Sequence, residues 1–293
     1  VFRSQSRTLR LGHPLGVLDN VRDYLQLGVE HIFTGYDHLA FLFGLLLLAA
    51  ALGGGTPAGA RPPRLPMADA ARPGRLPEGL RHVIGVVTAF TIAHSVTLVL
   101  AALRVVALPS APVEVAIALS IGYVAAENLW RPRPRQRFAL TFAFGLVHGF
   151  GFASVLREIG LPERGLLLSL FSFNVGVELG QLLVVALTFP VLRLLALASP
   201  DGDRQSGGLP LRRVLVIGAI ALVAIGVFSR FSIPWPYLIG LAVVLPAILI
   251  PLVPRLGYDV CARVGGSALL LVLSLLWTVE RISGRSLFGG ALG

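Results

Sequence analysis

The chain has 293 residues, of which 55% are hydrophobic and only 14% charged, with a net charge of +10 and a mean hydropathy of +0.80. A soluble domain carries about 25% charged residues, so a water-soluble globule is excluded and lipid is the expected surrounding. The positive charge is all arginine and lies in short segments between apolar runs, a pattern of membrane orientation and not of nucleic-acid recognition. A lone Cys261 excludes an intrachain disulfide or a thiolate cluster, so any metal site must rest mainly on nitrogen and oxygen ligands.

In chain order, residues 17–29 mix Leu18, Val21, Tyr24, Leu25 and Leu27 with Asp19, Arg22 and Asp23, which predicts an amphipathic interfacial helix within an extracytoplasmic segment 1–28. Apolar runs follow at 29–52, 83–104, 112–130, 138–156, 165–196, 214–229, 235–253 and 264–280. A span needs about 20 such residues, or somewhat fewer when its ends snorkel. Residues 53–78, rich in Gly, Pro and Arg, predict a loop. The fifth run is long enough to tilt or to extend past the bilayer; Pro246 and Pro251 predict a kink in the seventh. Trp130, Trp235 and Trp277 read as interface anchors.

The predicted fold class is an all-α polytopic bundle of about eight transmembrane helices, or seven if the short sixth run does not span. Loop charge alternates. Arg61, Arg64, Arg72, Arg75 and Arg81 load the first loop; Arg131, Arg133, Arg135 and Arg137 the third; Arg204, Arg212 and Arg213 the fifth; Arg255 and Arg263 the seventh. The even loops are balanced or nearly uncharged, so the positive-inside rule predicts cytoplasmic odd loops and both termini outside. This divides the chain into the segment 1–28, a five-helix core at 29–196 and three further helices in 197–293.

Ionisable groups within a bilayer are costly and mark function by default. His31, His38, His94 and His148 lie in predicted spans, as do Asp37, Glu127 and Glu178. The topology puts Asp37, His38, His94, His148 and Glu178 in one slab about 10 Å thick, which predicts a shared interior site. Imidazole with carboxylate suits borderline divalent cations such as Ni, Co, Zn or Fe. His31 and His38 share a helix face but stand about 10 Å apart along a straight axis. One ion reaches both only if the helix breaks at Gly35; the preferred reading is a path, with His31 at the outer mouth and His38 central. Glu127 reads as an inner waypoint, or as a partner of Arg131 or Arg133. Asn174 and Gln181 flank Glu178 and are placed to orient it. Gly145, Gly149 and Gly151, and the pair Gly176 and Gly180, predict close helix packing.

The first span, VEHIFTGYDHLAFLFGLLLL, resembles the H-x5-D-H signature of the HupE/UreJ family at His31, Asp37 and His38. FTIAHSVTL, AAENL, FGLVHGFGFAS and FNVGVELGQ look like motifs of that family's second branch, so the resemblance covers about residues 28–190. It implies nickel or cobalt permeation with the H-x5-D-H residues as metal contacts. In the better-known branch a histidine–glycine pair is followed on the same helix by a glutamate. Here His148 and Gly149 precede an acid-free stretch, and Glu178 on the next helix is the substitute.

Three functions stay open on the sequence. A permease for a divalent metal would use His31, Asp37, His38, His94, His148 and Glu178. An intramembrane zinc hydrolase would add Glu178 or Ser95 as assisting groups, although no H-E-x-x-H spacing is present. A non-catalytic accessory subunit would use the polar groups structurally. The expected location is a bacterial-type inner membrane, and the expected partners are lipid, a metal ion and a homo-oligomer or larger membrane complex, with no nucleic acid.

Overall fold

A computed structural model describes residues 17–51, 78–130, 137–159, 165–197 and 257–284, and among these every element is helical. The helices are α1 (Val17–Thr34), α2 (Tyr36–Ala51), α3 (Glu78–Ala102), α4 (Ser110–Trp130), α5 (Arg137–Ile159), α6 (Leu166–Leu197) and, after a π-helical turn (Asp259–Val264), α7 (Gly265–Ser283). The runs at 214–229 and 235–253 lie outside the described residues.

Gly79–Ala102, Ser110–Trp130, Leu166–Ala196 and Val260–Ser283 are each long and apolar enough to cross a membrane, and α1 and α2 together reach the same length and apolarity as a bent pair, the geometry of a broken span or of a re-entrant loop. α5 contributes a shorter apolar stretch, Arg137–Phe152. The chain is therefore a helical membrane protein. Its fifth run forms one helix of 32 residues that carries Pro190 within it, about 48 Å long at the α-helical rise.

The first span departs from the straight helix expected over 29–52. α1 starts at Val17, continues to Thr34 without a break, and meets α2 at a 69° bend. Gly35 is the joint: its amide donates to the His31 carbonyl at 2.8 Å, and its own carbonyl accepts from His38 at 3.0 Å to begin α2. A methyl group on residue 35 would stand 2.8 Å from the His31 carbonyl oxygen and 2.9 Å from His38 Nδ1. Only glycine fits there without a shift.

α2 is the centre of the bundle and touches α1, α3, α4, α6 and α7. Its Leu42, Leu45, Leu46, Leu47 and Leu48 are all buried, as an evenly apolar helix must be. In lipid the association of helices rests on close van der Waals contact between small residues. α1 and α6 meet in this way: Gly28 lies against the Phe173 carbonyl and Gly176 against the Leu25 carbonyl, so a side chain at either would strike backbone. Likewise Gly149 on α5 sits on the His94 carbonyl of α3, which brings His148 beside that helix.

Two anchor assignments divide. Trp130 is exposed, whereas Trp277 is only 3% exposed and belongs to the buried core. The reason is that α7 packs along α4 and turns that face inward.

Candidate metal centre

The break at Gly35 corrects the path reading. His31 ends α1 and His38 opens α2, and the bend folds one onto the other, with ring centroids 4.6 Å apart. His94 of α3 completes the group at 6.1 Å from His31 and 6.0 Å from His38. One ring nitrogen from each of these three residues lies within 4.8 Å of the others, an arrangement that could hold a metal ion. His148 of α5 stands beside His38, with centroids 5.1 Å apart.

All four imidazoles are buried, and aromatic rings wall them in. Phe152 and Phe173 lie 4.1 and 5.5 Å from His31. Phe90 stacks on His94 at 6.1 Å and meets His148 edge-on at 5.1 Å.

Two neighbours fix which nitrogen each outer histidine presents. The Asn174 amide donates to the Leu170 carbonyl at 2.8 Å, so its oxygen accepts from His94 Nδ1 at 3.3 Å. His94 then carries its proton on Nδ1 and offers the Nε2 lone pair. Ser120 donates to the Ile117 carbonyl at 2.7 Å, and its oxygen accepts from His148 Nε2 at 3.1 Å. His148 therefore offers Nδ1. Outer partners of this kind commonly orient metal-binding histidines.

The remaining ring nitrogens are buried without a hydrogen-bond partner: both of His31, both of His38, Nε2 of His94 and Nδ1 of His148. Each such group costs on the order of 1–3 kcal/mol. Together they approach the net stability of a whole domain, and a cation would relieve several at once. The donor set fits a borderline metal ion. At a metal–nitrogen distance of about 2.1 Å, tetrahedral ligand atoms stand about 3.4 Å apart, so ligand atoms within 4.8 Å of one another would close by at most about 1.4 Å on an ion.

The other residues expected at the centre sit elsewhere. Asp37, about 100° round α2 from His38, turns toward α7 and is gripped by Arg281 at 3.0 and 2.8 Å. Glu178 accepts from Thr88 at 2.7 Å, its second oxygen being buried without a hydrogen-bond partner. Ser95 donates to the Thr91 carbonyl of its own helix at 2.6 Å. Asn174 orients His94 and not Glu178, and Gln181 accepts from Thr91 at 2.8 Å, because α6 faces α3 along this stretch.

A second polar group lies toward the other end of α3. Glu127 pairs with Arg137 at 3.5 Å; the expected partners Arg131 and Arg133 fall outside the described residues. Arg137 also donates to Asn128 Oδ1, and the Asn128 amide donates to the Gly44 carbonyl at 2.8 Å. Arg263 from the π-helical turn donates to the Asn128 carbonyl. Arg137 and His82 share the lining of a cavity of about 10 Å³. From His82 to His94 is about 18 Å along α3.

Sequence reasoning missed Ser120 and Arg281 as neighbours of the centre. A hydroxyl within the third apolar run was the signal for Ser120; Arg281 lies beyond the eighth apolar run and gave none. No curated protein and no solved structure matches this chain. The family described as HupE / UreJ protein matches residues 8–231, which include every histidine of the centre and both orienting partners. By that match over most of its length, the chain belongs to the HupE/UreJ family.

Proposed function

We propose that this protein carries a divalent transition metal ion, nickel or cobalt in character, across the membrane through the buried histidine centre. The observation that carries the reading is the convergence of His31, His38 and His94, ligand atoms within 4.8 Å of one another, inside a bundle of membrane-spanning helices. Membership of a family associated with nickel and cobalt handling supports it.

A ladder of polar contacts supports a route from the centre. Below His94, α3 offers Thr91 with Gln181 and then Thr88 with Glu178, each about one helical turn further. The group around Glu127, Arg137 and His82 follows. With the arginine-rich loops inside, this second group faces the cytoplasm of a bacterial-type inner membrane. The residues we assign to the ion are His31, His38, His94 and His148 at the centre, with Asp37 and Glu178 as flanking carboxylates and Glu127 as an inner waypoint.

The hydrolase reading draws less support. Ser95 is bonded to its own backbone and Glu178 to Thr88, which leaves neither poised as a base at the histidine group.

The test is uptake into proteoliposomes that enclose a fluorescent metal chelator. Wild-type protein should admit Ni²⁺ or Co²⁺ well above empty vesicles, and His38→Ala and His94→Ala should each lose at least nine-tenths of that rate. Equal flux in wild type and both variants would overturn the proposal.

A further inference from the structure

We infer that Arg281 sets the charge preference of the histidine centre: it is a tethered cation that neutralises Asp37 and against which an incoming metal ion must bind. This deepens the transport reading above and rests on it.

Metal-binding imidazoles are neutral, so His31, His38, His94 and His148 bring no negative charge to a buried ion. Two carboxylates neighbour them in the chain, Glu30 beside His31 and Asp37 beside His38; Glu30 accepts from Gln26 at 2.8 Å on the exposed side of α1, which leaves Asp37 as the sheltered one. Its charge is taken up by Arg281, whose Nη2 reaches both carboxylate oxygens, at 3.0 and 2.8 Å. The pair is mostly sheltered, with side chains 16% and 23% exposed. Arg281 is itself held in place. Its Nη1 donates to the Glu114 carbonyl at 3.1 Å, and its guanidinium lies 5.8 Å from the Trp277 ring centre. Three contacts on α2, α4 and α7 make it a fixed charge.

Arg281 comes from α7, beyond residue 231 where the family match ends. The C-terminal helix therefore supplies this chain with a control on the centre from outside the matched part.

A fixed cation acts on an ion of charge z in proportion to z. Removing it must tighten a divalent ion by twice as many logarithmic units as a monovalent one. With an effective dielectric near 20 and a separation near 10 Å, the change is about tenfold per unit of ion charge.

The experiment measures binding of Co²⁺ and of Ag⁺, both borderline-to-soft ions that accept imidazole, to the full chain in detergent by calorimetry. Arg281→Gln should bind Ag⁺ about tenfold and Co²⁺ about a hundredfold more tightly than wild type. Arg281→Lys, which keeps the charge, should restore the wild-type ratio of the two affinities. Should Arg281→Gln not fold, Asp37→Asn carries the same test with opposite sign: both ions weaken, Co²⁺ by twice the logarithmic change of Ag⁺. Equal changes for the two ions, or an Arg281→Gln variant that binds Co²⁺ no better than wild type, would overturn the inference while leaving the histidine centre intact. Wild type that binds neither ion, and no differently from His38→Ala, would instead overturn the centre itself and this inference with it.

Discussion

Asn174 offers the sharpest test of how the centre is built, because its contribution can be sized from two distances. The amide nitrogen is committed to the Leu170 carbonyl at 2.8 Å, so the oxygen can only accept, and it accepts from His94 Nδ1 at 3.3 Å. When a cation draws electron density from His94 Nε2, the Nδ1–H becomes more acidic and this bond strengthens toward the charge-assisted class, about 1.5–3 kcal/mol. At 3.3 Å it is long for N–H···O, which places it at the lower end. Asn174→Ala should therefore weaken Co²⁺ binding by about tenfold, the lower bound for loss of an orienting partner. Asn174→Leu should do the same, since it fills the space without the acceptor. The assay is cobalt titration followed by visible d–d absorption on detergent-purified protein. Nitrogen NMR of ¹⁵N-histidine-labelled protein should show that His94 loses its Nδ1-protonated form in both variants. Affinities within about twofold of wild type, with the His94 tautomer unchanged, would refute the reasoning.

The other predictions follow from neighbouring contacts. Ser120→Ala removes the acceptor 3.1 Å from His148 Nε2; His148 should lose its fixed tautomer in the same NMR experiment, and Co²⁺ affinity should fall about three- to tenfold. Gly35→Ala sets a methyl 2.9 Å from His38 Nδ1 and 2.8 Å from the His31 carbonyl. It should prise the two rings apart, lower Co²⁺ affinity at least tenfold and, because the methyl also meets a backbone oxygen, lower the thermal midpoint. Gly176→Val forces a side chain into the Leu25 carbonyl of α1. It should destabilise the α1–α6 pair by about 3 kcal/mol, at the upper end for overpacking, read as an earlier transition in a denaturing-detergent titration.

The spans and the four histidines were legible because each is written locally: an apolar run for the bilayer, an imidazole in the middle of it. What was not legible depends on how helices face one another. A glycine in an apolar run is commonplace in membrane helices, so the sequence marks Gly35 as a place where the helix can break without saying that it does, or that the break brings His31 onto His38. Asn174 was set beside Glu178 because they are one turn apart on α6; its true partner was decided by the approach of α3, eighty residues away. The Glu127–Arg137 pair likewise depends on the crossing of α4 and α5, which no local pattern states. The Asp37–Arg281 pair joins residues 244 apart. Hydrophobic patterning carries no information on so distant a partner.

The features that weaken the centre are the ones the proposed transport site would require. An ion must be held firmly enough to enter and loosely enough to leave. Four neutral imidazoles give selectivity for borderline metals without the Coulombic depth that bound carboxylates would add. His38 sits in the first turn of α2, where the helix dipole presents positive charge and opposes a cation; Asp37 in the same turn would offset this, but Arg281 holds it. His31 and His38, whose ligand atoms lie within 4.8 Å of each other, stand on helices that meet at a 69° bend, so the angle at Gly35 helps to set their spacing. α1 in turn is fastened along α6 through Gly28 and Gly176, and α6 carries Asn174, Glu178 and Gln181, so the same helix pair that holds His31 in place also presents the partner of His94.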